Sequence, residues 1–283
     1  MIYYYSATGN TRFAARWLAE ALHTRALSID ECSSGPGEGE GIVGLGKEEC
    51  SSGFGEDDGR RRNVREEEAV GFMFPIYCWG IPPVMRRFME ERLRELGAEA
   101  YVWAVCTCGD EAGTAMRQFD RMVARARGRG ADAVFSLIMP NTYVLLPGFD
   151  VDKPMVEEEK LKSAPDRLVL IAEALSRRRA GVYDVQEGSA PALRSMIFPL
   201  FERWGVFPKK WHSTEACIGC GRCTHVCPAR NISMDGKRPQ WGSRCYSCCA
   251  CYHVCPVNAV EYGGITKGKG QYRYFLKDSG GPR

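Results

Sequence analysis

Residues 2–12 read IYYYSATGNTR, an apolar run that gives way to hydroxyls, a glycine and then a helical pattern. A short strand, a polar turn and a helix, in that order, make the first unit of a parallel sheet with crossover helices. Ser6, Ala7, Thr8, Gly9, Asn10 and Thr11 fill the turn. Their hydroxyls and the free N–H groups of the following helix form a nest suited to a phosphate monoester. The loop holds no lysine, so a triphosphate site of the P-loop kind is not expected. An ordinary helix cap, with Thr8 or Asn10 as the capping residue, explains the same residues. Both readings stand at this point.

Working outward, apolar runs and helical patterns keep alternating through residue 180. Strands are expected at Ile2–Tyr5, Arg25–Ile29, Ala69–Phe74, Tyr101–Cys106 and Asp132–Met139. Helices are expected at Thr11–His23, Pro82–Leu96, Ala112–Arg127 and Glu157–Arg178. This is an α/β pattern, a doubly wound, five-stranded parallel sheet over residues 1–180. Residues 31–68 break the rhythm and read as a surface insertion rich in Gly, Ser, Glu and Arg. They repeat ECSSGPGEG at 31–39 as ECSSGFGED at 49–57. Within them GEGIVG at 39–44 matches a dinucleotide-binding pattern. No helix pattern follows it and Glu38 and Glu40 would repel a pyrophosphate, so it is read as chance. Residues 181–210 form a connector whose ALRSMIFPLFERWGVF should bury aromatic side chains against a domain. A cysteine module at 211–262 follows, then a basic, Gly-rich tail at 263–283 expected to be only partly ordered.

The module contains CIGCGRCTHVCP at 217–228 and CYSCCACYHVCP at 245–256. Both fit C-x2-C-x2-C-x3-C-P, the bacterial-type signature of a cuboidal 4Fe–4S cluster. Three closely spaced thiolates wrap three corners of a cubane, while the fourth cysteine points away to the other cluster. One cluster is then held by Cys217, Cys220, Cys223 and Cys255, the other by Cys245, Cys248, Cys251 and Cys227. Paired zinc sites are the rival, but zinc normally takes separated cysteine pairs without the triple run or the prolines. Cys249 lies off register and reads as a bystander thiol. This part of the chain resembles the two-cluster ferredoxins.

In turn, SATGNT resembles the flavodoxin phosphate signature, Ser/Thr-x-Thr-Gly-x-Thr. That resemblance implies flavin mononucleotide (FMN) at the C-terminal edge of the sheet. It also implies that the loops after the third and fourth strands, PIYCWGIPP at 75–83 and CTCGDEAG at 106–113, hold the flavin ring. Pro75, Ile76, Tyr77, Trp79 and Gly80 come from the first of these, with Tyr77 or Trp79 stacking on the ring. Thr107, Cys108 and Gly109 come from the second and offer backbone groups to its polar edge. Packed aromatics are the plainer account of Tyr77 and Trp79. Cys78, Cys106 and Cys108 would share that edge, either as a redox-active thiol pair or, more simply, as small packing residues. The whole chain resembles fusion proteins that join a flavodoxin-like domain to a two-cluster ferredoxin domain, with the insertion as a departure.

The balance of charge sets limits on partners. Thirty-eight Lys/Arg and 35 Asp/Glu leave a formal net charge of +3, too little to argue for nucleic acid or a membrane surface. No apolar run approaches the ~20 residues of a membrane span. Fourteen cysteines in a chain without a visible export signal favour metal or redox use over disulfides. The expectation is a cytoplasmic electron-transfer protein with two 4Fe–4S clusters and FMN, exchanging electrons with redox partner proteins. A homodimer is compatible with it. Two other functions fit the same residues: a flavin-dependent reductase of a small substrate, and a redox-sensing or interaction module without flavin.

Overall fold

The computed structural model describes residues 1–32, 68–196 and 210–276. Its main sheet runs in the order β2-β1-β3-β4-β5-β6. The strands are β1 (Ile2–Tyr4), β2 (Ala26–Ser28), β3 (Ala69–Pro75), β4 (Tyr101–Cys108), β5 (Ala133–Ile138) and β6 (Val182–Asp184). All pair in parallel. The 2-1-3-4-5 core is the order of flavodoxin-like sheets. The crossover helices are α1 (Asn10–Ala21), α3 (Pro83–Glu95), α4 (Ala115–Arg127) and α5 (Pro154–Ser176), with a single turn α2 (Ile29–Cys32) after β2.

Strand alternation builds a core on each face. Tyr3, Phe72, Phe74, Val102, Ala104 and Cys106 pack with Met85 and Met89 of α3 and Met116 and Phe119 of α4. Ile2, Tyr4, Met73, Trp103 and Val105 face the other way, against Ala14 and Leu18 of α1 and Leu168 and Ile171 of α5. Neighbours along each strand therefore serve opposite layers, which is why the central strands read as continuous apolar runs. Gly71 in β3 makes room for Trp103 in β4: a Cβ there would lie 2.1 Å from the indole.

One expectation is corrected. The sheet has six strands rather than five, because Val182, Tyr183 and Asp184 pair with Ala133, Val134 and Phe135. These three residues are half-buried or exposed and carry too little apolar pattern to announce a strand. A short helix, α6 (Pro191–Ser195), follows within the expected connector. Within the expected tail, Tyr272 is fully buried. Residues 33–67 of the insertion, with the GEGIVG pattern, and most of the connector's aromatic run lie outside the described residues.

The cysteine half is a small α+β unit of the ferredoxin type. In it β7 (Trp211–Ser213) pairs antiparallel with β10 (Val260–Tyr262), and β8 (Ile232–Asp235) with β9 (Arg238–Trp241). Two short helices, α7 (Arg222–His225) and α8 (Ala250–Val254), carry the ends of the cysteine runs. This unit sits against the segment that follows β5. Val144 and Leu145 share one apolar cluster with Cys249, Cys251, Tyr252 and Trp211. Buried His253 bonds the Thr142 carbonyl through Nε2 at 2.7 Å, and its Nδ1 accepts from the Tyr272 N–H at 3.1 Å. With Nδ1 as acceptor the imidazole is neutral, and burial pushes its pKa down to about 4. Among the described residues no helix is long and apolar enough to cross a membrane.

Candidate functional site

The cysteines come together crosswise. Cys217, Cys220, Cys223 and Cys255 line one cage, three from the first run and the last from the second. Burial pushes the Cys223 thiol up to about 11, and the nearby Cys220, Cys255 and Cys217 push the same way. In the other group, burial raises Cys245 and Cys248, and both also feel Cys227. Cys251 is raised by burial and by Cys248 and Cys245. Thiols such as Cys223, Cys245, Cys248 and Cys251, which resist ionising alone, are what a cationic iron–sulfur core would stabilise as thiolates. A set of cysteine donors drawn together in this way fits a thiolate-bound iron–sulfur group.

The duplication extends into the backbone. Gly221 and Cys249 follow the second cysteine of each run, and both cap a short helix in the left-handed region, at φ 70° and 59°. Gly219 and Ser247 are matched in the same way at φ 68° and 55°. The fourth cysteines also correspond: Cys227 Sγ accepts the Asn231 N–H at 3.3 Å, and Cys255 Sγ accepts the Ala259 N–H at 3.1 Å. Cys249 thus stands where the first copy has glycine. It is 2% exposed and its thiol reaches the Ser247 carbonyl at 3.6 Å.

The 4Fe–4S dicluster domain family matches residues 209–256. That span holds all eight paired cysteines. The chain therefore carries a 4Fe–4S cluster-binding domain. No curated protein matches the sequence. Among solved structures, the chain is similar to a rubredoxin oxygen:oxidoreductase from the anaerobe Desulfovibrio gigas, at 14% identity and a TM-score of 0.32. The match covers 62% of this chain and spans only 36% of the oxidoreductase. It is also similar to a putative flavoprotein from Bacteroides uniformis, at 16% identity, a TM-score of 0.31, and 56% and 95% coverage of this chain and that one.

The three candidate flavin loops follow β1, β3 and β4, which are neighbours in the sheet, so they crowd one edge. Thr11 Oγ1 and Thr107 Oγ1 lie 2.7 Å apart, joining the first loop to the third. The Ile76 N–H donates to the Thr107 carbonyl at 2.9 Å, joining the second to the third. Tyr5, at the end of β1, meets Tyr77 edge-on, with ring centres 6.2 Å apart and hydroxyls at 3.3 Å. Tyr77 and Gly80 close a tight turn through two backbone bonds. Cys78 and Trp79 occupy it at φ 46° and 61°, a conformation that costs non-glycine residues free energy and is often kept at functional sites. Trp79 Nε1 donates to Glu111 at 2.8 Å. Pro75 ends β3, and Cys108 ends β4 with its side chain in the core.

In the first loop, Gly9 has φ 102° and precedes the twelve residues of α1. Among the described residues, the N–H groups of Ser6, Ala7, Thr8 and Gly9 donate to no protein acceptor. Unclaimed loop N–H groups at a helix start fit a phosphate. The side chains do not share that freedom. Asn10 Nδ2 donates to the Pro140 carbonyl at 3.0 Å, and Thr11 is 1% exposed. Any phosphate contact therefore falls to the backbone and to Ser6 and Thr8.

Cys106 and Cys108 sit in the core cluster. Burial raises the Cys106 thiol well above its ordinary range and pushes Cys78 up to about 11. Protonated, buried thiols are poor nucleophiles, which favours packing over a redox pair.

Three contributors were not legible in the sequence. The Asn141 side chain lies against Gly109 so closely that a Cβ there would come within 1.6 Å of its Oδ1. Tyr272 donates its hydroxyl to Asn10 Oδ1. Phe275 stacks on Phe13 at 4.9 Å and covers Gly9, where a Cβ would lie 2.4 Å from its own. Only the run QYRYF at 271–275, aromatic within a Gly-rich tail, hinted at any of them.

Proposed function

We propose that the chain is an electron-transfer protein that passes electrons between two 4Fe–4S clusters and FMN. The observation that supports this best is the crossed grouping of the cysteines, set against the sheet edge that carries the three flavin-loop candidates. Bound flavin would exchange two electrons in single steps, and each cluster would carry one, so the pair links one-electron carriers to a two-electron donor or acceptor. Cys217, Cys220, Cys223 and Cys255 hold one cluster in this reading, and Cys245, Cys248, Cys251 and Cys227 the other. The Asn231 and Ala259 N–H groups donate to ligand sulfurs, a contact of the kind that tunes cluster potential.

The loop N–H groups of Ser6 to Thr11, with the hydroxyls of Ser6 and Thr8, are offered to the flavin phosphate. Pro75, Ile76, Tyr77, Trp79 and Gly80 border the ring on one side, and Thr107, Cys108 and Gly109 on the other. The second cysteine group lies on the flavin side. Tyr246, next to Cys245, packs into the same apolar cluster as Tyr77. The Tyr5 hydroxyl is raised by burial, by Tyr77 and by Cys248, which places that thiol beside the Tyr5–Tyr77 pair.

Anaerobic purification with iron, sulfide and flavin analysis tests the proposal. About eight irons, eight labile sulfides and one FMN per chain are expected. Tightly held zinc without labile sulfide would overturn it, and full clusters without flavin would remove the flavin half.

A further inference from the structure

The two cysteine groups have opposite surroundings. Cys245, Cys248 and Cys251 belong to the side that packs on Tyr246, Val144 and Leu145. The cage of Cys217, Cys220, Cys223 and Cys255 borders solvent instead, and Cys220 is exposed. Two apolar side chains from its wall, Ile218 and Val257, are 60% and 38% exposed. Cations stand around them. Lys237 is exposed, is in no ion pair among the described residues, and lies with its carbonyl 4.0 Å from Cys217 Sγ. A Cβ on Gly219 would touch the Lys237 Cβ at 3.0 Å. Arg222 lines the cage, and Arg273 donates to the Cys255 carbonyl at 2.6 Å. Of the nearby carboxylates, Glu215 is answered by Arg238 at 3.0 Å, and exposed Asp235 ends β8 two residues before Lys237.

We infer that the face formed by Ile218, Val257, Cys220 and Lys237 is the docking surface for an acidic one-electron carrier protein. The inference rests on the electron-transfer reading and adds the partner's chemistry and the point of contact. A small apolar centre with a charged rim suits a transient complex, in which complementary charge speeds encounter more than it tightens binding. The sign of the rim selects the partner. Residues 211–276 carry eight Lys/Arg and three Asp/Glu, a +5 that two oxidised clusters with their eight thiolates would offset by about −4, so the unit stays slightly positive and exposed Lys237 on this rim favours a carrier with an acidic face. At the contact one electron leaves the carrier and enters the site held by Cys217, Cys220, Cys223 and Cys255, with no bond made or broken. The second cysteine group is screened by the flavodoxin-like half, so it passes electrons inward.

The test uses the full anaerobic chain, with a reduced acidic 4Fe–4S ferredoxin as probe and reduced methyl viologen as the small-molecule control, followed by stopped flow. The ferredoxin rate should fall as ionic strength rises. At low salt Lys237→Glu should lower it about tenfold, Lys237→Gln should lower it less, and the methyl viologen rate should not fall in either. Ile218→Ala should slow the ferredoxin reaction without changing its salt dependence. Equal ferredoxin rates in the wild type and Lys237→Glu at low salt, with full iron and sulfide, would overturn the docking surface alone. A chain with no labile sulfide would overturn the electron-transfer reading and this inference together.

Discussion

The Tyr272 hydroxyl donates to Asn10 Oδ1 at 2.7 Å, across 262 positions of sequence. Tyr272 is fully buried and Asn10 nearly so, so neither group has water as an alternative. The backbone N–H of the same tyrosine is held by His253, next to Tyr252 and two residues from Cys255. One residue of the C-terminal segment thus ties the phosphate-loop candidate to the helix capped by Cys255, a proposed cluster ligand. Arg12 adds a bond to the Phe275 carbonyl at 3.3 Å.

Removing the hydroxyl tests that tie. In Tyr272→Phe, Asn10 Oδ1 loses its donor while buried, which costs on the order of 1–3 kcal/mol. Chemical denaturation should show that loss, with iron and sulfide content unchanged. Wild-type stability in the variant would mean that Asn10 finds another donor.

Gly9→Asp should weaken FMN binding at least about tenfold while the clusters remain. A carboxylate would face the phosphate at close range. At φ 102° a side chain is also strained, and its Cβ would collide with Phe275. Flavin fluorescence quenching on titration measures the affinity. Unchanged quenching in the variant would place the phosphate elsewhere.

Much of this architecture was readable because it is local or periodic. Alternating Tyr3 and Tyr4, or Val102 and Trp103, belong to opposite layers, and the sequence shows that as uninterrupted apolar strands. The cysteine spacing predicts ligand sets because the cubane's corners impose it. By contrast, β6 is a partly exposed three-residue edge strand whose place depends on pairing with β5. Tyr272 and Phe275 owe their burial to contacts with α1 and its leading loop, which no window of the chain contains. Asn141 is set by its bonds to Asp110 and Asp152, and these form only once the loops after β4 and β5 lie side by side.

Cys249 offers a sharper check on the duplication. It takes the left-handed position that Gly221 takes in the first run, so Cys249→Gly relieves backbone strain of about 1 kcal/mol while giving up some buried contact. The expected outcome is full iron and sulfide with stability within about 1 kcal/mol of the wild type. A loss of iron in this variant would make Cys249 a ligand.

The crossed cysteine groups make the strongest demand on experiment. If the fourth cysteine of each run serves the other run's cluster, Cys227→Ala should damage the cluster of Cys245, Cys248 and Cys251. Cys255→Ala should damage that of Cys217, Cys220 and Cys223. The two variants should also differ in how the damage spreads. Cys255 sits under Arg273, which bonds its carbonyl, and two residues from His253, so its own segment is held whether or not the sulfur is present. Cys227 is followed by a turn closed by the Arg230 N–H on its carbonyl at 3.0 Å, which likewise survives the change. Loss of one thiolate should therefore leave the backbone in place and release the corner iron, and a three-iron signal in electron paramagnetic resonance reports which site lost it. Combining each change with a serine at Cys220 or at Cys248 assigns the signal. In Cys220→Ser the intact cluster is the one that needs Cys227, so adding Cys227→Ala should disturb both sites, whereas adding Cys255→Ala should disturb no further site. The reverse pattern would mean that each run closes on its own cluster, against the grouping of Cys255 with Cys217, Cys220 and Cys223 around one cage.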